Sequence, residues 1–218
     1  MVAAATWLSA NALRLGYLVP MPSAETTRRR FLCASLAAAS LGAVAQPAQA
    51  SPAMLSLVRT ELQRVGAAVQ HRDVVAIADF SQPSKDPRFH LVDTASGRIE
   101  SVLVAHGRGS DPSRTGWVRK FSNAPGSNAS SSGAYVTGDY YVGQHGRSMR
   151  LKGLDATNDN AEARAIVVHS APYVSPQIAR LGILGRSQGC FAVARADLDR
   201  VLTRLGPGRL LIAGKFEA

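Results

Sequence analysis

The sequence predicts a mainly β domain with a few helices. Short runs rich in Val, Ile, Leu and Tyr recur from residue 74 onwards, separated by clusters of Gly, Pro, Asn and Ser. Only residues 54–69 and 197–205 place apolar side chains at the spacing of one helix face over more than two turns. Residues 51–218 are enough for one domain with a sizeable hydrophobic core.

The first fifty residues are typical of an N-terminal extension that ends in a signal peptide. Residues 27–32 read Thr-Arg-Arg-Arg-Phe-Leu, which matches the twin-arginine pattern, and an apolar, Ala-rich stretch follows. Residues 48–50, Ala-Gln-Ala, are typical of a cleavage site before Ser51. The apolar stretch is shorter than the roughly 20 residues that a membrane span needs. We therefore expect residues 1–50 to direct export by the twin-arginine route to the periplasm or cell envelope, without stable membrane insertion after cleavage.

Removal of this signal changes the cysteine content. The sequence holds two cysteines, Cys33 and Cys190, and only Cys190 lies outside the signal. A single thiol in an oxidising compartment has no disulfide partner in its own chain, and such a cysteine often has a chemical role. The alternative is a small core residue, which is the commonest role of a free cysteine.

The exported part begins with a helix and then becomes rich in strands. Ser51 and Pro52 form a helix start signal, so residues 51–73 are predicted as an N-terminal helical region. The following patterns predict a strand at residues 74–80 and a turn at 81–87. They then predict a hairpin whose two strands are residues 88–93 and 98–106.

A long stretch with little periodicity, residues 107–133, comes next. Loops of this length in a compact domain are either functional or disordered. Trp117, Val118 and Phe121 give this one apolar anchors, which disordered linkers usually lack. The sequence therefore favours a functional loop, with a mobile surface insertion as the alternative.

The remaining patterns predict short strands and one more helix. They indicate strand-like pieces at residues 134–154 with a turn at 143–148, and then a strand at 164–169. A helical turn at 177–181, a helix at 197–205 and a closing strand at 209–214 follow. Gly206, Pro207 and Gly208 end the predicted helix.

The candidate chemistry lies at His169 and Cys190. His169 ends a run of β-branched residues, so a strand would bring it to one edge of a sheet. Gly189 allows a tight turn in which the amides beside Cys190 point at a developing oxyanion. A neighbouring imidazole makes a thiol a useful nucleophile, so we expect the pKa of Cys190 to be lowered. The alternative is a buried structural cysteine and a histidine that only caps a hydrogen bond.

Composition and motifs argue against several other functions. The chain has a formal net charge of +10, which suits contact with anionic polymers of the envelope. The basic residues after the signal are scattered, and no helix-turn-helix, zinc-finger or aromatic RNA-binding motif is present, so we expect no nucleic-acid partner. The histidines and Cys190 show no metal-ligand spacing, so we expect neither a metal nor another cofactor.

Two short motifs resemble a known family. Residues 167–170 read Val-Val-His-Ser and residues 186–190 read Arg-Ser-Gln-Gly-Cys. Together they resemble the catalytic signature of murein L,D-transpeptidases of the YkuD type, and more closely a divergent branch of that family. Residues 107–111, 121–123 and 145–148 also resemble that branch. The resemblance implies a YkuD-like β-sandwich or twisted mixed sheet, with residues 74–218 as the catalytic domain.

The resemblance also implies a reaction. Cys190 would attack the carbonyl of the L-centre residue in a peptidoglycan stem tetrapeptide and release the terminal D-alanine as a thioester forms. His169 would act as general base and then general acid, and Ser170 would orient its imidazole through the backbone carbonyl. Gly189 and Cys190 would supply oxyanion amides. An acceptor amine would then form a 3→3 cross-link. With water in its place the protein would be an L,D-carboxypeptidase.

The sequence departs from the family pattern at two positions. Gln188 stands where many members have histidine, and Ala192 stands where many have arginine. Arg186 is then the nearest guanidinium for a donor carboxylate. We expect it to bind substrate together with a set of nearby polar residues, Ser187, Gln188 and His145. The other classes left open are a different cysteine amide hydrolase, such as a papain-like peptidase, and a non-catalytic envelope-binding module. In papain-like enzymes the cysteine usually precedes the histidine, which is not so here.

Overall fold

The computed structural model describes residues 48–216, and its strands form one nine-stranded sheet. The strands in chain order are β1 Val74–Asp79, β2 Phe89–Asp93, β3 Ile99–Val102, β4 Val104–Ala105, β5 Gly133–Gly143, β6 Gly146–Gly153, β7 Val167–Ser170, β8 Phe191–Val193 and β9 Leu210–Gly214. The α-helices are α1 Pro52–Val65, α2 Pro176–Ala179 and α3 Arg195–Leu205. The mainly β prediction is confirmed.

The sheet is mixed, with strand order β3-β2-β1-β9-β5-β6-β7-β8-β4. The pairs β1–β9 and β7–β8 are parallel, and the other neighbours are antiparallel. The last strand of the chain, β9, lies between β1 and β5 in the middle of the sheet. The expected twisted mixed sheet is therefore present.

The two ends of the strand order meet at Leu103. This residue alone separates β3 from β4, although these strands occupy opposite ends of the sheet. Because neighbouring Cα atoms are about 3.8 Å apart, the sheet must bend round until its ends almost touch. The single predicted strand at residues 98–106 is therefore wrong: β3 and its pairing with β2 end at Val102, the chain turns the corner, and Val104 pairs with Val193 of β8.

The two faces of the sheet bury different helices. On β1, Val74, Ala76 and Ala78 face the main hydrophobic cluster, whereas Val75 and Ile77 face a second cluster. The buried leucines and valine of α3 belong to the main cluster, and the apolar side of α1 belongs to the second. This alternation is the period of two expected of strands buried on both faces.

Helix α1 begins where the sequence predicts and ends earlier. The Ser51 hydroxyl accepts a hydrogen bond from the Met54 amide at 3.2 Å, which caps the helix. The α-helix stops at Val65 because Gly66 adopts a positive φ of 54°, and a 3-10 turn, Gly66–Ala68, completes the predicted span.

Residues 164–166 are a turn rather than the predicted start of a strand. The Arg164 amide bonds back to the Asn160 carbonyl at 2.9 Å, and Ala165 has a positive φ of 50°. The strand β7 begins at Val167 and still ends on the His169–Ser170 pair. The shorter strand leaves Arg164 beside the site instead of within the sheet.

The residues before α1 contact the edge of the sheet. The Ala50 amide donates to the Gly97 carbonyl at 2.9 Å, and the Ile99 amide donates to the Ala48 carbonyl at 2.9 Å. Cleavage after Ala50 would remove these contacts from the exported chain. The predicted twin-arginine motif lies outside the described residues. Between residues 48 and 216, no helix has the length and apolar character needed to cross a membrane.

Candidate active site

A cavity of about 520 Å³ brings most of the predicted site residues together. Its walls come from the turn before β8, the end of β7, the β5–β6 turn, and the loop at residues 107–133. Six predicted residues line it, namely Cys190, His169, His145, Arg186, Ser187 and Gln188. Ser170 and Gly189 lie directly beside lining residues without lining the cavity themselves.

Parallel pairing of β7 with β8 explains why Cys190 and His169 are neighbours. The register pairs Val168 with Phe191 and His169 with Ala192, so Cys190 lies one residue before the paired segment. Val168 and Phe191 both face the main hydrophobic cluster. Because side chains alternate along a strand, His169 and Cys190 both project from the opposite face, into the cavity.

His169 is held in one tautomer. Its imidazole is only 2 % exposed, and Nδ1 lies 2.9 Å from the Ser170 carbonyl oxygen. Since a carbonyl oxygen can only accept, Nδ1 carries the proton and Nε2 is left with a lone pair. The backbone contact expected of Ser170 is present. Burial lowers the pKa of His169, and the nearby His145 ring lowers it further, against the effect of the Ser170 carbonyl.

The Cys190 thiol is partly buried. Sγ lies 3.5 Å from the Ala165 carbonyl oxygen, to which the thiol donates. Burial raises the pKa of Cys190, whereas the Val167 amide and the Arg164 charge act in the opposite direction. The sequence predicted a lowered pKa, and this prediction is wrong for the resting protein because burial has the largest effect. Cys190 therefore rests as a thiol beside a neutral imidazole.

The turn before Cys190 is fixed by one hydroxyl. Ser187 Oγ accepts a hydrogen bond from the Gly189 amide at 3.1 Å and donates to the Cys190 carbonyl at 2.7 Å. Gly189 has a φ of 123°, and a Cβ there would lie 2.8 Å from the Ala129 carbonyl oxygen. The Gly189 amide, expected to face an oxyanion, is engaged by Ser187 in this structure. Gly189 instead permits the turn.

The loop at residues 107–133 packs against this turn. The Gly107 amide donates to Ser130 Oγ at 3.0 Å, and Ser130 Oγ donates to the Gly189 carbonyl at 3.2 Å. Val118 is buried in the main cluster, whereas Trp117 is 42 % exposed and does not anchor the loop. The loop forms part of the cavity wall, as its predicted functional role requires.

A buried row of polar and charged side chains, Arg88, His106 and Asp111, lies behind the turn that precedes Cys190. The sequence did not predict it. Arg88 is fully buried and donates to His106 Nδ1 at 2.7 Å, and His106 Nε2 lies 3.6 Å from Asp111 Oδ2. Burial lowers the pKa of Arg88 to about 9 and that of His106 to about 4. The His106 carbonyl accepts a hydrogen bond from the Ser187 amide at 2.9 Å, so this row of side chains supports the turn. Asp111 lies within a motif that the sequence singled out, but Arg88 carried no such signal.

Two arginines reach the cavity. Arg186 donates to the main-chain carbonyl of Asp111. Arg164, which the sequence placed in a strand, donates to carbonyl and hydroxyl groups of the loop at residues 107–133. Within residues 48–216, no group of three or more His, Cys, Asp or Glu side chains is arranged to hold a metal ion.

Several solved L,D-transpeptidases are similar to this chain. One from Mycobacterium tuberculosis is 17% identical, with 66% of this chain and 58% of that chain covered and a TM-score of 0.44. L,D-transpeptidase 3 from the same organism is 16% identical, with 66% and 61% covered and a TM-score of 0.42. One from Xylanimonas cellulosilytica is 13% identical, with 65% and 60% covered and a TM-score of 0.36. The chain thus spans about 58% of the length of the first of these proteins.

Family membership rests on sequence rather than on those structures. No curated protein matches this chain. The family model for the L,D-transpeptidase catalytic domain matches residues 46–213, which include the sheet up to Ala213 in β9 and every residue that lines the cavity. This chain therefore belongs to the L,D-transpeptidase catalytic domain family.

Proposed function

We propose that this protein is a cysteine-dependent L,D-transpeptidase that acts on peptidoglycan stem peptides. One observation carries the proposal: Cys190 and His169 project from neighbouring parallel segments into one cavity. The Ser170 carbonyl holds His169 so that Nε2 is free of a proton and able to accept one.

The resting thiol defines how the first step proceeds. His169 Nε2 takes the Cys190 proton as Sγ attacks the carbonyl carbon of the L-centre residue in the donor peptide, forming a C–S bond. The tetrahedral intermediate then collapses, the C–N bond breaks, and the imidazolium returns its proton to the amine of the departing D-alanine. A general base is needed here because burial disfavours a preformed thiolate.

The second step decides between two products. Attack by the amine of another stem peptide on the thioester forms an amide, which is the 3→3 cross-link, and regenerates the Cys190 thiol. Attack by water releases a tripeptide and makes the protein an L,D-carboxypeptidase. His169 would deprotonate either nucleophile, since the same imidazole faces the thioester in both cases.

The predicted substrate-binding residues divide into two groups. Arg186, Gln188 and His145 line the cavity and offer polar groups to a bound peptide. Ser187 also lines the cavity, but its hydroxyl is engaged by Gly189 and Cys190. We therefore assign Ser187 to support of the turn and the other three to substrate binding.

We also place the protein in the cell envelope, after export by the twin-arginine route. The peptidoglycan that would be cross-linked lies in the envelope, and the motif at residues 27–32 would supply the export signal. Nothing in the proposed chemistry requires a cofactor, a nucleic acid or a membrane anchor.

Muropeptide analysis by mass spectrometry tests the proposal. The purified exported protein, incubated with tetrapeptide-containing muropeptides, should release D-alanine and form 3→3 linked dimers, and Cys190→Ala should do neither. Leu181→Ala is the control variant, because this exposed side chain lies outside the cavity lining. Activity that survives in Cys190→Ala would contradict the nucleophile assignment. Binding without any product in the wild-type protein would instead support a non-catalytic module.

A further inference from the structure

Arg164 connects the loop at residues 107–133 to the turn that carries Cys190. Its Nη1 donates to the Ser122 carbonyl at 2.8 Å and to Ser131 Oγ at 2.6 Å, and its Nη2 donates to the Ala129 carbonyl. All three acceptors are neutral. These hydrogen bonds therefore hold the guanidinium in place, and none of them pairs its positive charge with a carboxylate.

Part of this guanidinium remains available. Arginine has five N–H donors in a fixed fork, and three are used by the loop. Within residues 48–216 neither Nε–H nor the second Nη2–H meets an acceptor, although Arg164 lines the cavity. An arginine stays charged at neutral pH, so an unneutralised cation faces the cavity.

This cation lies next to the thiol. A Cβ built on Gly189 would lie 3.1 Å from Arg164 Nη2, and Gly189 directly precedes Cys190. The charge of Arg164 favours the ionised form of Cys190, which is the effect expected of a cation at this range. Arg186, the arginine favoured by the sequence, donates to the Asp111 carbonyl, and its charge acts on His106.

We propose that Arg164 is the specificity-determining cation of this cavity, and that its guanidinium binds a carboxylate of the substrate beside the carbonyl that Cys190 attacks. The identity of that carboxylate, one on the donor stem peptide, rests on the proposed function. Ala192 does not supply this charge: it is a buried, uncharged residue of β8 packed with Ala105 and Leu184.

A pair of alkylating reagents tests the cation without any peptide. In iodoacetamide and iodoacetate alike, Sγ forms a bond to the methylene carbon while the C–I bond breaks and iodide leaves with its electron pair. The thiol proton passes to His169 and then to solvent. Only iodoacetate carries a carboxylate beside the reacting carbon, so the ratio of the two rates at one pH reports the cation near Cys190.

Arg164→Gln should lower the iodoacetate-to-iodoacetamide rate ratio about fivefold or more, as loss of a partly screened neighbouring charge requires. Arg164→Lys should keep most of the ratio. Arg180→Gln removes an equal charge from an exposed position outside the cavity and should leave the ratio unchanged. Ser131→Ala removes one hydrogen bond between Arg164 and the loop but keeps the charge of Arg164. It therefore shows whether the rate ratio depends on the position of the loop or on the charge.

The proposal is overturned if Arg164→Gln leaves the ratio unchanged, if Ser131→Ala lowers it equally, or if Arg186→Gln lowers it more. If Arg164→Gln does not fold, the wild-type ratio decides, because it should fall as salt rises from about 0.05 to 0.5 M. A rate ratio that does not change with salt concentration would then contradict the proposed cation beside Cys190. A normal alkylation result with no muropeptide product would reject the proposed function while leaving the anion site in place.

Discussion

The imidazole rings of His145 and His169 are stacked, with centroids 4.3 Å apart and an interplanar angle of 23°. His145 lies in the two-residue turn between β5 and β6, whereas His169 is the next-to-last residue of β7. The stack therefore places an exposed histidine over the buried one that we propose as the base. Because His145 lowers the pKa of His169, it helps to keep Nε2 unprotonated.

Replacement of His145 should raise the pKa of His169. In His145→Phe the ring stack remains but the like charge is lost, so protonation of His169 becomes easier. His145→Ala should raise it further, since His169 also becomes more exposed. The measurement is the titration of the His169 Cε1 proton by NMR. An unchanged titration in both variants would contradict electrostatic coupling between the rings.

Stability should fall in mild acid because of His106. Its pKa is about 4 in the folded protein and about 6.5 in an unfolded chain, so the unfolded state binds the extra proton between these values. The free energy of unfolding should decrease as pH falls from about 6.5 to 4, by on the order of 2–3 kcal/mol for this group.

Urea unfolding across that pH range, for wild type and His106→Asn, isolates this group. The asparagine oxygen can accept from Arg88 but does not titrate, so the variant should lose stability less steeply in acid. His90 and His169 also have lowered pKa values, and they contribute equally to both proteins. Parallel curves for the two proteins would reject the assignment.

Gly189→Ala should disrupt the turn before Cys190. The positive φ strains any other residue, and the new Cβ would lie 2.7 Å from Ile166 Cδ1 as well as against the Ala129 carbonyl. We expect a loss of about 2–4 kcal/mol in the free energy of unfolding and slower alkylation of Cys190.

Gly182→Ala is the matched control for that variant. Gly182 has a φ of 98°, but a Cβ there would meet no atom within 4 Å. It should show the backbone strain alone, about 1 kcal/mol, with normal alkylation. Equal losses of stability in the two variants would show that the contacts around Gly189 do not matter.

A carbapenem should acylate Cys190, because family resemblance implies that its strained amide mimics the donor carbonyl. Intact-mass measurement should show one adduct per chain, and peptide mapping should place it on the peptide that contains Cys190. Cys190→Ser and Cys190→Ala should show none. His169→Ala should react roughly 10²- to 10⁴-fold more slowly, because a thiol with a raised pKa depends on a general base. An equal adduct in Cys190→Ala would end the nucleophile assignment.

Local sequence patterns predicted the helices and strands better than they predicted which strands pair with each other. Residues 197–205 carry a helical period, whereas residues 74–80 and 209–214 are short apolar runs, and each forms close to the predicted bounds. The corner at Leu103 was missed because β4 pairs with β8, nearly ninety residues later, and periodicity says nothing about distant pairing. The same reason applies to Arg164, whose neighbours in sequence resemble a strand.

The chemistry of the site was predictable only in part. The motifs predicted that Cys190 and His169 act together, and they line one cavity. The expected export drew attention to Cys190 as a lone cysteine. The direction of the thiol pKa depends on burial, and burial arises from parts of the chain far from the motif. The engagement of the Gly189 amide likewise depends on a side-chain rotamer of Ser187 that no spacing rule contains.

The central position of β9 determines when the protein can fold. Until residues 210–214 have left the ribosome, β1 and β5 are two unpaired edges of separate half-sheets, and neither can pair directly with the other. Pairing Val75 with Leu210 closes a loop of most of the chain, which is slow and needs both ends of the domain to be present. The sheet is thus completed only once residues 210–214 have emerged, and a shorter nascent chain carries unpaired strand edges that invite aggregation.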